Sequence, residues 1–198
     1  MGPVFAAAHC YHLLMETSAG FVLTGGHSSR MGRDKALLPI EGMALVQRTA
    51  ERVRAAAGSV TLIGAPGRYV HLGLPAAPDL IENCGPVGGL YTALKIGRAD
   101  WNLLVACDMP GLTAEFLREL LDAARQCGST CLVPQTESGL HPLCAVYHRR
   151  AEGAVASAIE HKRLKMHDLL RVLEAQSFPV ADAAQLQNVN TPVEWGAR

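Results

Sequence analysis

The stretch Leu23-Thr24-Gly25-Gly26-His27-Ser28-Ser29-Arg30-Met31-Gly32-Arg33-Asp34-Lys35 packs three glycines and three cations into one loop, directly after the apolar run Phe21, Val22 and Leu23. The apolar run reads as a buried strand, and the glycines behind it permit positive φ and close approach of a ligand to the backbone. Successive N–H groups in such a turn converge into a concavity that binds anions. Arg30 can fork onto phosphate oxygens, Gly32 permits a second sharp turn, and Lys35 adds a compact cation within reach of further phosphates. Together they can neutralise charge that builds up during transfer at phosphorus. A glycine-rich strand-to-helix turn with solvated charges has the same composition, so composition by itself leaves both readings open. Gly26 and Gly32 are separated by five residues and Lys35 lies three further on, so neither G-x-x-x-x-G-K-[ST] nor G-x-G-x-x-G can be read here.

Beyond this loop, apolar runs alternate with amphipathic segments. Leu45, Thr49, Val53 and Ala56 recur at helical spacing, which predicts a helix over residues 44–57 with Gly58 as its stop. Residues 60–63 form a second strand candidate, and a short helix is expected over residues 88–96 after the Gly85-Pro86 turn. Leu103, Leu104, Val105 and Ala106 make a fully apolar strand of the kind buried in a parallel sheet. Thr113 is placed to cap a helix reaching about residue 126, with Phe116, Leu117, Leu120 and Leu121 on its inner face and Glu115 near its positive end. Strands are expected over residues 131–134 and 143–147, and helices near 151–160 and 167–173. The pattern predicts a three-layer α/β/α, Rossmann-like domain with a mostly parallel sheet and ligands at the strands' carboxyl ends.

With 198 residues the chain fits one domain, expected over residues 19–198. Residues 1–18 are expected to form a flexible extension, with Met15 an alternative start just ahead of the first strand. Eighteen basic and eighteen acidic residues give zero formal charge, which argues against a nucleic-acid surface or a polybasic membrane anchor. Positive charge is local to the first loop, which suits a small anionic ligand. Neither Lys nor Arg precedes Arg30, and His9, Cys10 and His12 interrupt the early apolar patch, so no export signal or membrane span is expected. The six cysteines form no C-x-x-C pair, and the Cys127/Cys131 spacing lacks a second ligand pair for zinc. Buried reduced thiols, and with them a cytoplasmic location, are the expectation.

Asp108 ends the apolar strand at the side where ligands bind, and Pro110 then forces the chain out of regular structure. A carboxylate there can cap the next helix or hold Mg²⁺ beside phosphates, since Mg²⁺ takes one or two carboxylates together with substrate oxygens and water. Asp79 can contact a ligand or be an ordinary loop aspartate. Gly85, Gly88 and Gly89 can let backbone approach a base or ribose, or simply make a turn and a helix start. Asn188 and Asn190 flank Val189 and share one side if that segment is extended; an Asx turn with a cap before Pro192 accounts for them equally well. His141 and Pro142 are further candidates for the same side.

The ordered string from Leu23 to Lys35 closely resembles the signature of the MobA-like nucleotidyltransferases, written approximately L-A-G-G-x-S-x-R-M-G-x-D-K. It matches at Leu23, Gly25, Gly26, Ser28, Arg30, Met31, Gly32, Asp34 and Lys35, with Thr24 in place of the usual Ala. Three further segments resemble the same family in the same order: Asn83-Cys84-Gly85-Pro86-Val87-Gly88-Gly89-Leu90, Ala106-Cys107-Asp108-Met109-Pro110 and Asn188-Val189-Asn190-Thr191-Pro192. The resemblance implies an enzyme that transfers GMP from GTP to the terminal phosphate of molybdopterin, releases pyrophosphate and uses Mg²⁺. It implies catalytic roles for Arg30, Lys35 and Asp108, with Asp108 as the metal ligand. Nucleotide contacts are implied for Leu23, Thr24, Gly25, Gly26, Arg30, Gly32, Lys35, Asp79, Gly85 and Asp108, and acceptor contacts for Asn188, Asn190 and His141. Transient contact with molybdenum cofactor pathway proteins or molybdoenzymes is also implied. Relatives that use CTP tend to carry L-A-A-G, so Gly25-Gly26 favours GTP. Cytidylyl transfer, sugar-phosphate nucleotidyl transfer and a non-catalytic nucleotide-binding role remain the alternatives. Many relatives carry a base-contacting Asn shortly after the second strand, where this chain has Gly64-Ala65.

Overall fold

Alternation of side chains along the central strands divides the core in two. Val22, Leu103 and Val105 point to one face of the sheet, while Phe21, Leu23 and Leu104 point to the other. The computed structural model describes residues 17–24, 34–40 and 42–188. In chain order these form β1 (Ser18–Leu23), a 3-10 turn (Lys35–Leu37), β2 (Pro39–Ile40), β3 (Met43–Ala44), α1 (Leu45–Ala57), β4 (Thr61–Gly64), α2 (Pro66–Tyr69) and β5 (Ala76–Pro78). There follow α3 (Gly85–Ile96), β6 (Trp101–Ala106), α4 (Ala114–Gln126), β7 (Cys131–Thr136), β8 (Gly139–Leu140), β9 (Cys144–His148), α5 (Glu152–Glu160), α6 (Met166–Val172), β10 (Gln176–Pro179) and a closing 3-10 turn (Ala183–Leu186).

The main sheet runs β10-β7-β9-β6-β1-β4-β5, with β8 beside β7, and β2 and β3 make a separate small hairpin. Pairing is parallel from β6 through β1 and β4 to β5, and again between β7 and β10, while β9 lies antiparallel between β6 and β7. The chain leaves β1 toward β4 and β5 and then returns to β6 on the opposite flank of β1. Such a reversal opens a crevice at the carboxyl ends of the two diverging strands, here β1 and β6.

One core joins Val46, Ala50 and Val53 of α1 with Phe116, Leu117 and Leu120 of α4 under the sheet; the other joins Val87 and Leu90 of α3 with Val155 of α5 and Leu169 of α6 above it. This is the expected three-layer α/β/α arrangement. Each fully buried Leu or Phe in it contributes about 1.5–3 kcal/mol of burial. Helix ends follow local chemistry: the Thr113 hydroxyl accepts from the Phe116 N–H at 3.2 Å, and Gly58, at φ +81°, closes α1 through its N–H to the Arg54 carbonyl.

Three features differ from the sequence reading. The central strands begin earlier than their apolar cores, β1 at Ser18 and β6 at Trp101. α3 begins at Gly85 rather than at residue 88, so Gly88 and Gly89 are helix-interior residues. A Cβ on Gly89 would lie 2.6 Å from Leu23 Cδ2, which makes that glycine a packing requirement between α3 and the end of β1.

Candidate active site

The parallel register brings Leu23 opposite Ala106, and the Cys107 N–H donates to the Leu23 carbonyl. Thr24 and Asp108 therefore leave neighbouring strands side by side at the switch between β1 and β6. Lys35, at the start of the 3-10 turn, returns to this place: its Nζ lies 3.3 Å from Asp108 Oδ2, although 73 residues separate the two in sequence. The pair is largely sheltered, with side-chain exposures of 13% and 24%. The second carboxylate oxygen, Asp108 Oδ1, is buried and has no hydrogen-bond partner.

α1 holds the Asp108 loop from below. The Thr49 hydroxyl lies 3.4 Å from the Cys107 carbonyl while donating to Leu45, and Arg52 donates to the Pro110 carbonyl at 2.7 Å. Met109 and Leu112 bury their side chains in the lower core. The Cys107 thiol is pushed up to about 12 by burial and then by the Asp108 charge, so it stays protonated and is a poor nucleophile beside the site.

The other predicted residues sort by position. The Thr24 hydroxyl donates to the Ile63 carbonyl at 2.8 Å, and the Thr24 N–H donates to the same oxygen, so this residue ties β1 to β4. Gly64 stands at φ +136°, where L side chains are strained, so its place at the end of β4 answers a backbone need. Asp79 follows β5 at the same side of the sheet, three strands from Asp108, or about 14 Å at ~4.8 Å per strand. Burial raises its pKa above the ordinary carboxylate value. Gly85 adopts φ +54° at the first turn of α3 with open space around it.

His141 lies on the far side of β6, in the turn that leads into antiparallel β9. Its Nε2 is 2.8 Å from Thr136 Oγ1, which is in turn 2.7 Å from Ser138 Oγ, and burial lowers its pKa. The closing 3-10 turn presses on the loop after β6, since a Cβ on Gly111 would lie 2.6 Å from the Ala184 carbonyl oxygen. Exposed Asn188 follows that turn. Gly25, Gly26, Arg30, Gly32 and Asn190 lie outside the described residues.

Sequence reasoning missed Tyr69. Its ring is fully buried and its hydroxyl lies 3.0 Å from Asp34 Oδ2 and 3.3 Å from the Thr24 carbonyl. Nothing local signals it, because a tyrosine in a short helix has no distinctive spacing. Asp34, by contrast, sits within the recognised string.

No group of three or more His, Cys, Asp or Glu able to hold a metal occurs among the described residues. The donor set is one carboxylate with a buried, unpartnered oxygen, which fits a cation that completes its shell with phosphate oxygens and water and does not fit a protein-built cage.

Comparison with known proteins finds relatives over most of the chain. The protein is 33% identical over 183 residues to a probable molybdenum cofactor guanylyltransferase of Flavobacterium johnsoniae, covering 91% of this chain and 95% of the relative. It is 34% identical over 184 residues to the protein of the same name in Nostoc sp., covering 90% and 88%. Among solved structures it resembles molybdopterin-guanine dinucleotide biosynthesis protein A from Archaeoglobus fulgidus, with a TM-score of 0.78, 22% identity and coverage of 90% and 95%. The family model described as the MobA-like NTP transferase domain matches residues 20–178, and the chain belongs to that family.

Proposed function

We propose that this protein is a molybdenum cofactor guanylyltransferase, which transfers GMP from GTP to the terminal phosphate of molybdopterin and releases pyrophosphate. The observation that carries the reading is the meeting of Lys35 and Asp108 at the β1/β6 switch, a cation and a carboxylate with a free buried oxygen placed where a nucleotide's phosphates would lie. Family membership supplies the reaction class, and Gly25-Gly26 favours the guanine nucleotide.

In this reading an oxygen of the acceptor phosphate forms a bond to the α-phosphorus of GTP as the bond to the pyrophosphate oxygen breaks. The acceptor phosphate is already a nucleophile, so no covalent enzyme intermediate is required, and the inert Cys107 thiol accords with that. Lys35, with Arg30, draws negative charge onto the leaving pyrophosphate. Asp108 would hold Mg²⁺, which when bound supplies charge neutralisation at the phosphate oxygens. Asp79 and Gly85, further along the same side of the sheet, would receive the nucleoside. His141 lies toward the other flank of β6, and with Asn188 and Asn190 it would receive the acceptor. Hand-over of the product to pathway proteins or molybdoenzymes would take place in the cytoplasm, a setting that the free thiols of Cys84, Cys131 and Cys144 suit.

The test supplies molybdopterin, Mg²⁺ and each of the four ribonucleoside triphosphates in turn, and identifies the dinucleotide product by mass. A guanine dinucleotide with one pyrophosphate released per product is expected. A cytidine product, or none with GTP, overturns the assignment.

A further inference from the structure

The phenol of Tyr69 lies between two segments that carry the site. Its ring is 1% exposed, although the next residue, Val70, is 73% exposed, so the chain turns inward at this position and delivers a polar hydroxyl to the interior. That hydroxyl lies 3.0 Å from Asp34 Oδ2 and 3.3 Å from the carbonyl of Thr24, the residue that follows β1. A phenol has one hydrogen, and the shorter contact to a carboxylate is the stronger use of it. Burial first, and then the Asp34 charge, raise the Tyr69 pKa far above its ordinary value, so the hydroxyl remains a donor throughout the working range.

Asp34 divides its two oxygens. Oδ1 accepts from the Ala36 N–H at 3.1 Å and so caps the 3-10 turn that opens with Lys35. Oδ2 accepts from Tyr69 and also lies 3.6 Å from Arg68 NH1, whose side chain is mostly exposed. With one oxygen committed to its own turn and the other anchored on a buried phenol, Asp34 fixes where that turn begins. Ala36 is buried, which pins the next residue as well, and Lys35 is left to reach Asp108 at 3.3 Å.

We infer that Tyr69 is a positioning residue for the reaction: through Asp34 it sets the Lys35–Leu37 3-10 turn so that the Lys35 ammonium meets Asp108. Its kinetic consequence rests on the nucleotidyl transfer reading, whereas its structural consequence does not. The hydroxyl contributes nothing to the core that a phenyl ring would not, so Tyr69→Phe separates positioning from packing.

The experiment compares the wild type, Tyr69→Phe, Asp34→Asn and the double variant. Hydrogen exchange at the Ala36 and Leu38 amides, which bond to Asp34 Oδ1 and the Lys35 carbonyl, should quicken at least about tenfold in Tyr69→Phe, the scale of one lost charge-assisted bond. In pyrophosphate release kcat should fall about tenfold with KM for GTP changed less than threefold, and the double variant should be no worse than the worse single variant. Unchanged exchange at both amides overturns the proposal, as do additive effects on kcat. If Tyr69→Phe does not fold, exchange in Asp34→Asn reads the same link from its other end, and unchanged exchange there overturns it too. Absence of GTP turnover in the wild type would instead sink the functional reading, because the exchange arm stands without substrate.

Discussion

Replacing Asp108 by Asn should abolish most turnover while leaving the folded protein almost as stable as before. The Lys35–Asp108 attraction at 3.3 Å is about 5 kcal/mol before solvation, at an effective dielectric of ~20. Partial desolvation of the two ions costs several kcal/mol, which offsets most of it. Asp108 Oδ1, buried without a partner, adds a further penalty of about 1–3 kcal/mol to the protein without ligand. Asn keeps an oxygen for the ammonium and places an amide where the unpartnered oxygen lies, so unfolding free energy should change by no more than about 1 kcal/mol, or ~2–4 °C in Tm. A residue that contributes so little to the empty protein serves the loaded one: kcat for pyrophosphate release should fall about 100-fold or more. Thermal melting and pyrophosphate release, measured on the same preparation, check both halves. Retention of more than about a tenth of wild-type kcat would refute the catalytic role. A fall in Tm beyond about 10 °C would refute the energetic reasoning instead.

Two other substitutions probe the flank of β6 proposed to receive the acceptor. Gly111→Ala pushes a Cβ to within 2.6 Å of the Ala184 carbonyl, so the backbone of the closing 3-10 turn must move; the cost should be about 1–3 kcal/mol in urea unfolding, with KM for molybdopterin raised and KM for GTP unchanged. An effect on GTP alone would contradict this division of the site. His141 titrates below 6.5 in the fold because burial disfavours its charged form. Between its folded pKa and 6.5 the unfolded chain binds more protons, so its stabilising contribution is complete above 6.5 and is lost as pH falls through the folded pKa. On going from about pH 7 to about pH 5, His141→Gln should therefore lose less Tm than the wild type, and equal losses would show that the ring is not desolvated.

The strands on either side of the β1/β6 switch were legible because each is announced locally. A short unbroken apolar run reads as a buried strand, and both runs do form strands, β1 ending at Leu23 and β6 at Ala106, just ahead of Asp108-Met109-Pro110. Thr113 and Gly58 likewise carry their helix ends in their own chemistry. The antiparallel setting of β9 was not legible, because alternation along Cys144–His148 reports burial and not direction. β5, β8 and β10 escaped notice for another reason: they are two to four residues long and at most half-buried, too short to show a two-residue alternation. Tyr69 illustrates a third kind of silence. Its role depends on Thr24 and Asp34, which lie 45 and 35 residues away, and no local pattern encodes such a meeting.

The central place of β1 also governs how the chain reaches its fold. β1 finds β4 about 40 residues later, but its second neighbour, β6, pairs Phe21 with Leu104 across 83 residues. During synthesis the Phe21-Val22-Leu23 backbone therefore waits with one flank open while α1 to α3 emerge. An unpaired apolar flank is a template for association with other chains. A nascent chain halted ahead of Trp101 lacks both the strand that closes this flank and the aspartate that answers Lys35, so the interval of greatest aggregation hazard ends as the Lys35–Asp108 pair becomes possible.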